Sequence, residues 1–124
     1  MKSSQIFSFE SIGFECGIAH NGKEPINFKR FGERSGEYAF SFLDYVIVPV
    51  GADIGIHTHT KDNQEIYIII SGKGQMTLED RDYKVKKGDV IVNSIGGTHG
   101  LKNIGKTEIK MIVIEIPVPG NPGM

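Results

Sequence analysis

His57, His59 and His99 are three of the four histidines in this 124-residue chain, and each sits in a glycine-framed segment. The first segment runs from Gly51 to Gly72 and also carries Glu65; the second runs from Gly88 to Asn103. Three imidazoles and one carboxylate form a mixed nitrogen–oxygen donor set. Such a set suits Mn, Fe, Co, Ni, Cu or Zn and disfavours Ca and Mg, which prefer oxygen ligands. The expected cofactor is therefore one divalent transition metal per chain. A structural zinc site would be closed and would more often use cysteines. If the ion is octahedral, four protein ligands leave two positions for water, dioxygen or a bidentate substrate.

Strands must bring these side chains together. Side chains alternate across a strand, so His57 and His59 share a face, roughly 7 Å apart along it. Ile54 to Thr58 reads as the short strand that carries them. Glu65 to Ser71 is the strongest strand, with Glu65, Tyr67 and Ile69 on one face. Gln64, at four-residue spacing from His59, is out of register with that face and is a poorer ligand. The Ser71–Gly74 stretch predicts a tight turn, with Gln75 to Leu78 returning antiparallel to Glu65–Ser71. Further strands are expected at Tyr38–Pro49, Tyr83–Val85, Val90–Asn93, Thr98–Asn103 and Glu108–Ile116. Gly96 and Gly97 give the bend before His99.

The sixteen glycines between short β-branched runs, with no sustained helical period, argue for an all-β sandwich or barrel. The length suits a single domain. Residues 1–35 carry one or two short strands, 36–117 form the core barrel, and the prolines after 116 leave a mobile tail over 118–124. A net charge of −1 gives no bulk attraction to nucleic acid or anionic membrane. No apolar run approaches bilayer-spanning length. The amino terminus lacks the apolar stretch of a secretory signal, and the single cysteine, Cys16, cannot form an internal disulfide. A cytoplasmic location is the expectation.

Together the two segments resemble the paired motifs of the cupin superfamily, G-x5-HxH-x3,4-E-x6-G and G-x5-PxG-x2-H-x3-N. Gly51, His57, His59, Glu65 and Gly72 fill the first, with five residues rather than three or four between His59 and Glu65. Gly88, Gly96, His99 and Asn103 fill the second, with Ser94 in place of proline. The resemblance implies a double-stranded β-helix, or jelly-roll, barrel with His57, His59, Glu65 and His99 as metal ligands. It also implies a homodimer, with amino-terminal strands paired or exchanged between copies. It leaves the reaction open, because cupins host dioxygenases, isomerases, epimerases, decarboxylases, lyases and non-enzymatic binders.

Other residues divide between pocket and packing. By strand parity Tyr67, Asn93 and Met111 are candidates for the pocket or the groups behind the ligands, with core packing the plainer role for Met111. Asp44 is the one polar misfit in an aromatic-rich strand and is a candidate pocket acid or ligand-supporting group. Asn103 is expected to order a turn. His20, outside both segments and beside Asn21-Gly22, reads as an exposed turn histidine, and Cys16 as an inert packed thiol. Lys84, Lys86 and Lys87 read as a solvated hairpin.

Two functions follow as expectations. The first is a small metalloenzyme acting on a small oxygen-rich molecule, either as a dioxygenase or as a sugar or hydroxy-acid isomerase, epimerase or lyase. The second is a non-enzymatic module that binds or senses a small ligand.

Overall fold

The computed structural model describes residues 4–10, 13–32, 37–59 and 62–118. Among these residues there are ten strands and no helix. They are β1 (Glu15–Gly17), β2 (Ile26–Phe31), β3 (Phe42–Val48), β4 (Asp53–Thr58) and β5 (Asn63–Ser71). The remainder are β6 (Lys73–Leu78), β7 (Arg81–Lys86), β8 (Val90–Asn93), β9 (Thr98–Lys102) and β10 (Ile109–Pro117). One sheet has the order β1-β2-β3-β10-β5-β8 and the other β4-β9-β6-β7. Every strand pairing within the sheets is antiparallel. This is the jelly-roll arrangement that the cupin resemblance implies.

Alternation explains the layering. In β3 the buried side chains are Phe42, Asp44, Val46 and Val48, and in β10 they are Ile109, Met111, Val113 and Glu115. Val48, Met76, Leu101, Ile109 and Met111 are wholly buried between the sheets. Each such side chain contributes about 1.5–3 kcal/mol through burial. Met111 therefore packs in the core. The polar inward residues concentrate at one end. Glu65 is the cross-strand partner of Glu115 on one side and of Asn93 on the other.

The structure corrects the expected β5–β6 hairpin. β6 pairs with β7 and β9, in the other sheet from β5. Gly72 adopts φ 91°, and a Cβ there would run into the Glu108 carbonyl. The chain thus passes between sheets at Gly72, where only glycine allows the close approach. β3 also begins at Phe42 rather than Tyr38, because Tyr38 to Ser41 form bends outside the ladder.

Asn103 orders its turn as expected. Its side-chain amide donates to the Val48 and Thr107 carbonyls, each at 2.9 Å, and its Oδ1 accepts from Gly105 N at 2.9 Å. At the amino-terminal side, β2 pairs with β3 and extends the six-stranded sheet. Val118 N donates to the Asp62 carbonyl at 2.8 Å, and the rest of the expected tail, 119–124, lies outside the described residues.

Candidate metal centre

His57 and His99 are direct cross-strand partners in the β4–β9 pair, so both rings project from the same face. The register shifts between Ile54 and His57, a bulge that re-aims the end of β4. His59 follows β4 and extends the ladder by donating its N–H to Gly97 O at 2.9 Å. Glu65 arrives from the other sheet, on the inward face of β5, while Gln64 alternates away from it. One ligand atom from each of His57, His59, Glu65 and His99 lies within 4.8 Å of all the others. Two ligands opposite each other at ~2.1 Å bond lengths would be ~4.2 Å apart, so the group needs only slight contraction to hold an ion.

Orientation and protonation favour the same outcome. His57 Nδ1–H donates to the Gly55 carbonyl at 2.7 Å, leaving a lone pair on Nε2. His59 Nδ1–H donates to Asn63 Oδ1 at 2.7 Å, and its Nε2 lies 3.0 Å from Glu65 Oε1. His99 Nε2 lies 3.4 Å from the same oxygen. His57 Nε2 and both ring nitrogens of His99 are buried with no hydrogen-bond partner among the described residues. Orphaned nitrogens of this kind are costly unless something fills their lone pairs, and a metal does so. Burial pushes His57 down from its ordinary 6.5 to about 4, against a raising effect of the Gly55 hydrogen bond, so the ring stays neutral as ligation requires. Burial raises Glu65, but the His99, His59 and His57 rings outweigh it, so its carboxylate titrates below the usual value. The donor set present fits a divalent transition metal.

A cavity of about 550 Å³ opens beside this group, with His59, Glu65 and Tyr67 in its lining. Tyr67 is fully buried, and burial, then the Glu65 and Asp44 carboxylates, raise its phenol well above 10. It therefore keeps its proton. Asp44 also faces the cavity and grips Arg30 in a two-pronged ion pair, with both contacts at 2.8 Å. The guanidinium lies 3.9 Å over the Phe42 ring. Asn93 is buried opposite Glu65, with neither amide atom hydrogen-bonded among the described residues, and borders a smaller cavity of about 200 Å³ with His99.

Several contributors were not singled out from the sequence. Arg30 and Phe28 face the cavity from β2, on a parity that Ile26 begins. Asn63 lies within the long spacer before Glu65 and orients His59; Thr60 and Lys61, in the same spacer, lie outside the described residues. Glu115 is a buried carboxylate beside Glu65. His20 is an exposed turn histidine, as expected, and its ring also stacks on His57 and lines the cavity. One expectation needs correction. Cys16 is exposed at the cavity rim rather than packed, on the short strand β1 at the edge of its sheet.

The cupin domain family model matches residues 44–115, more than half of the chain and inclusive of all four candidate ligands. The chain belongs to the cupin family. An uncharacterised protein of Methanocaldococcus jannaschii is 39% identical over 75 residues, 60% of this chain and 59% of that protein. An oxalate-binding protein of Thermotoga maritima is 32% identical over 69 residues, 56% of each chain. The chain thus spans little more than half the length of these curated relatives. Among solved structures, a "predicted oxalate decarboxylase" from Thermotoga maritima superposes with a TM-score of 0.86 at 22% identity, covering 92% of this chain and 100% of that one. KdgF from Halomonas sp. gives 0.75 at 16% identity, covering 96% and 98%. At those identities the likeness is one of fold. No helix among the described residues is long and apolar enough to cross a membrane.

Proposed function

We propose that this cupin holds one first-row divalent metal on His57, His59, Glu65 and His99, and acts as a metal-dependent enzyme on a small oxygen-rich molecule. The observation that carries this is the convergence of three neutral-capable imidazoles and a carboxylate within 4.8 Å, beside a cavity of about 550 Å³. When bound, the ion supplies Lewis acidity, or dioxygen activation if it is redox-active. The chain's own residues do the rest. Tyr67 keeps a protonated phenol in the cavity wall, available to donate a hydrogen bond to a ligand oxygen. Asp44 fixes Arg30 as an oriented cation in the same wall. Phe42 and Val113 bring apolar surface that limits water there.

A second reading is binding without turnover. It is favoured by the relative named as an oxalate-binding protein, 32% identical over 69 residues. A homodimer is a further proposal. Val90 and Val92, outward on the edge strand β8, are 60% and 56% exposed and would be covered by a second copy.

The test begins with metal analysis of protein purified without an affinity tag, alongside His57→Ala and Glu65→Ala. Near-stoichiometric transition metal in the parent and its loss in both variants is the expected result. A metal-free parent overturns the proposal. Mass spectrometry of retained ligands, followed by turnover assays in air and under argon, then separates oxygenase, isomerase or lyase, and binder. Mass in solution at micromolar concentration decides the dimer.

A further inference from the structure

His20 is the one histidine outside the two glycine-framed segments. Its imidazole lies flat on that of His57, with ring centroids 3.5 Å apart and planes 7° from parallel. His99 and His59 meet His57 at 64° and 45°, at 4.3 Å and 5.2 Å. Among the described rings, His20 alone lies parallel over the flat face of His57 at this distance.

The turn that presents His20 is fastened to β4 immediately before His57. Gly55 N donates to the Ala19 carbonyl at 3.0 Å, and Lys23 N donates to Asp53 Oδ1 at 2.7 Å. Ala19 and Ile54 form a parallel bridge. A Cβ on Gly55 would overlap the His20 carbonyl, so the two backbones are in direct contact. His20 and Asn21 both adopt left-handed backbone, φ 51° and 62°, which non-glycine residues seldom do. Backbone of that kind persists only where surrounding contacts enforce it.

Two restraints therefore act on the His57 ring. The Gly55 carbonyl holds its Nδ1 edge, and His20 holds its face. We propose that His20 is a positioning residue of the metal centre, bracing His57 so that Nε2 stays aimed at the other three ligand atoms. The inference rests on the metal reading above. An imidazole that is already fixed loses less rotational freedom when it coordinates, which raises metal affinity. By the same contact, the amino-terminal turn, which lies before the family-matched residues 44–115, becomes part of the centre.

The experiment measures Co(II) affinity of the full chain by competition with a chelator, together with the visible spectrum of the Co(II) form. His20→Asn tolerates left-handed backbone but removes the stacked ring. His20→Phe restores a flat ring without the imidazole nitrogens. The expected result is that His20→Asn weakens Co(II) binding about tenfold and shifts the visible bands, while His20→Phe returns both to within about twofold of the parent. Equal affinity in the parent and His20→Asn overturns the brace. So does a His20→Phe protein as weak as His20→Asn, since it would assign the effect to the nitrogens. A parent that binds no Co(II) overturns the metal reading and the brace with it. If His20→Asn fails to fold by circular dichroism, His20→Leu against His20→Phe decides: tighter binding by the flat ring supports the brace, and equal binding overturns it.

Discussion

In the four-stranded sheet, β4 and β9 present His57 and His99 as opposed partners, and His59 extends the ladder past β4. In the six-stranded sheet, β5 contributes a single candidate ligand, Glu65, while β2, β3 and β10 supply Arg30, Asp44 and Glu115 to the cavity. One sheet thus carries the nitrogen donors and the other carries the carboxylate and most of the ligand-facing wall. The difference teaches that a metal here would tie the two sheets together as well as serve chemistry. At the far end, Asn103 ties them by another means, since its amide on the end of β9 reaches the Val48 carbonyl of β3.

The sharpest way to break this contrast is to remove the metal. At a thousandfold excess over Kd, a bound ion stabilises by about 4 kcal/mol, so chelation should lower the melting temperature on the order of 10 °C. In Glu65→Ala the same chelator should change nothing, because the carboxylate that joins the second sheet is gone. A calorimetric scan of both proteins with and without chelator checks this. Next is Gly55→Ala, which forces a methyl into the His20 carbonyl. Its expected cost is about 2–3 kcal/mol, read from the urea midpoint, with metal affinity falling alongside. Asn103→Ala should cost about 2 kcal/mol by leaving buried carbonyls unpaired, with metal affinity unchanged, because it acts at the other end of the sheets.

The smallest effect is graded with pH and concerns the metal-free protein. Folded His57 stays neutral down to about 4, whereas an unfolded histidine takes up its proton near 6.5. Between those values the unfolded chain binds more protons, so stability falls as pH drops through this window. The lowered Glu65 acts in the same direction just below its ordinary 4.5. Urea midpoints should therefore be lower at about pH 5 than at about pH 7.5, with most of the difference gone in His57→Phe.

The clustering of His57, His59, Glu65 and His99 was legible in the sequence because parity and glycine spacing are local properties. His57, His59 and Glu65 needed only strand alternation, and the choice of Glu65 over Gln64 followed from the face shared with Tyr67 and Ile69. What could not be read depends on where strands go after they turn. Gly72 looks the same in sequence whether it closes a hairpin or crosses between sheets; the Glu108 carbonyl pressed against it decides, and that lies far along the chain. His20 carried one local signal, the Asn21-Gly22 turn. Its place on His57 arises from a backbone contact with Gly55 that no spacing rule contains. Asn63 was hidden for the opposite reason, because it lies inside the spacer that departs from the motif.

The strand order has a consequence for how the chain is made. β10 follows the other nine strands in sequence, yet it lies between β3 and β5. Until it inserts, those two strands face each other across a gap one strand wide, roughly 10 Å by ordinary sheet spacing. A chain made only as far as β9 would therefore have an unfilled slot bordered by Ile66, Ile68, Ile69 and Ile70 of β5. Two open edges flanked by such residues are a template for pairing with another unfinished chain. Translation that stalls before Ile109 should release an aggregation-prone fragment rather than a slightly smaller barrel.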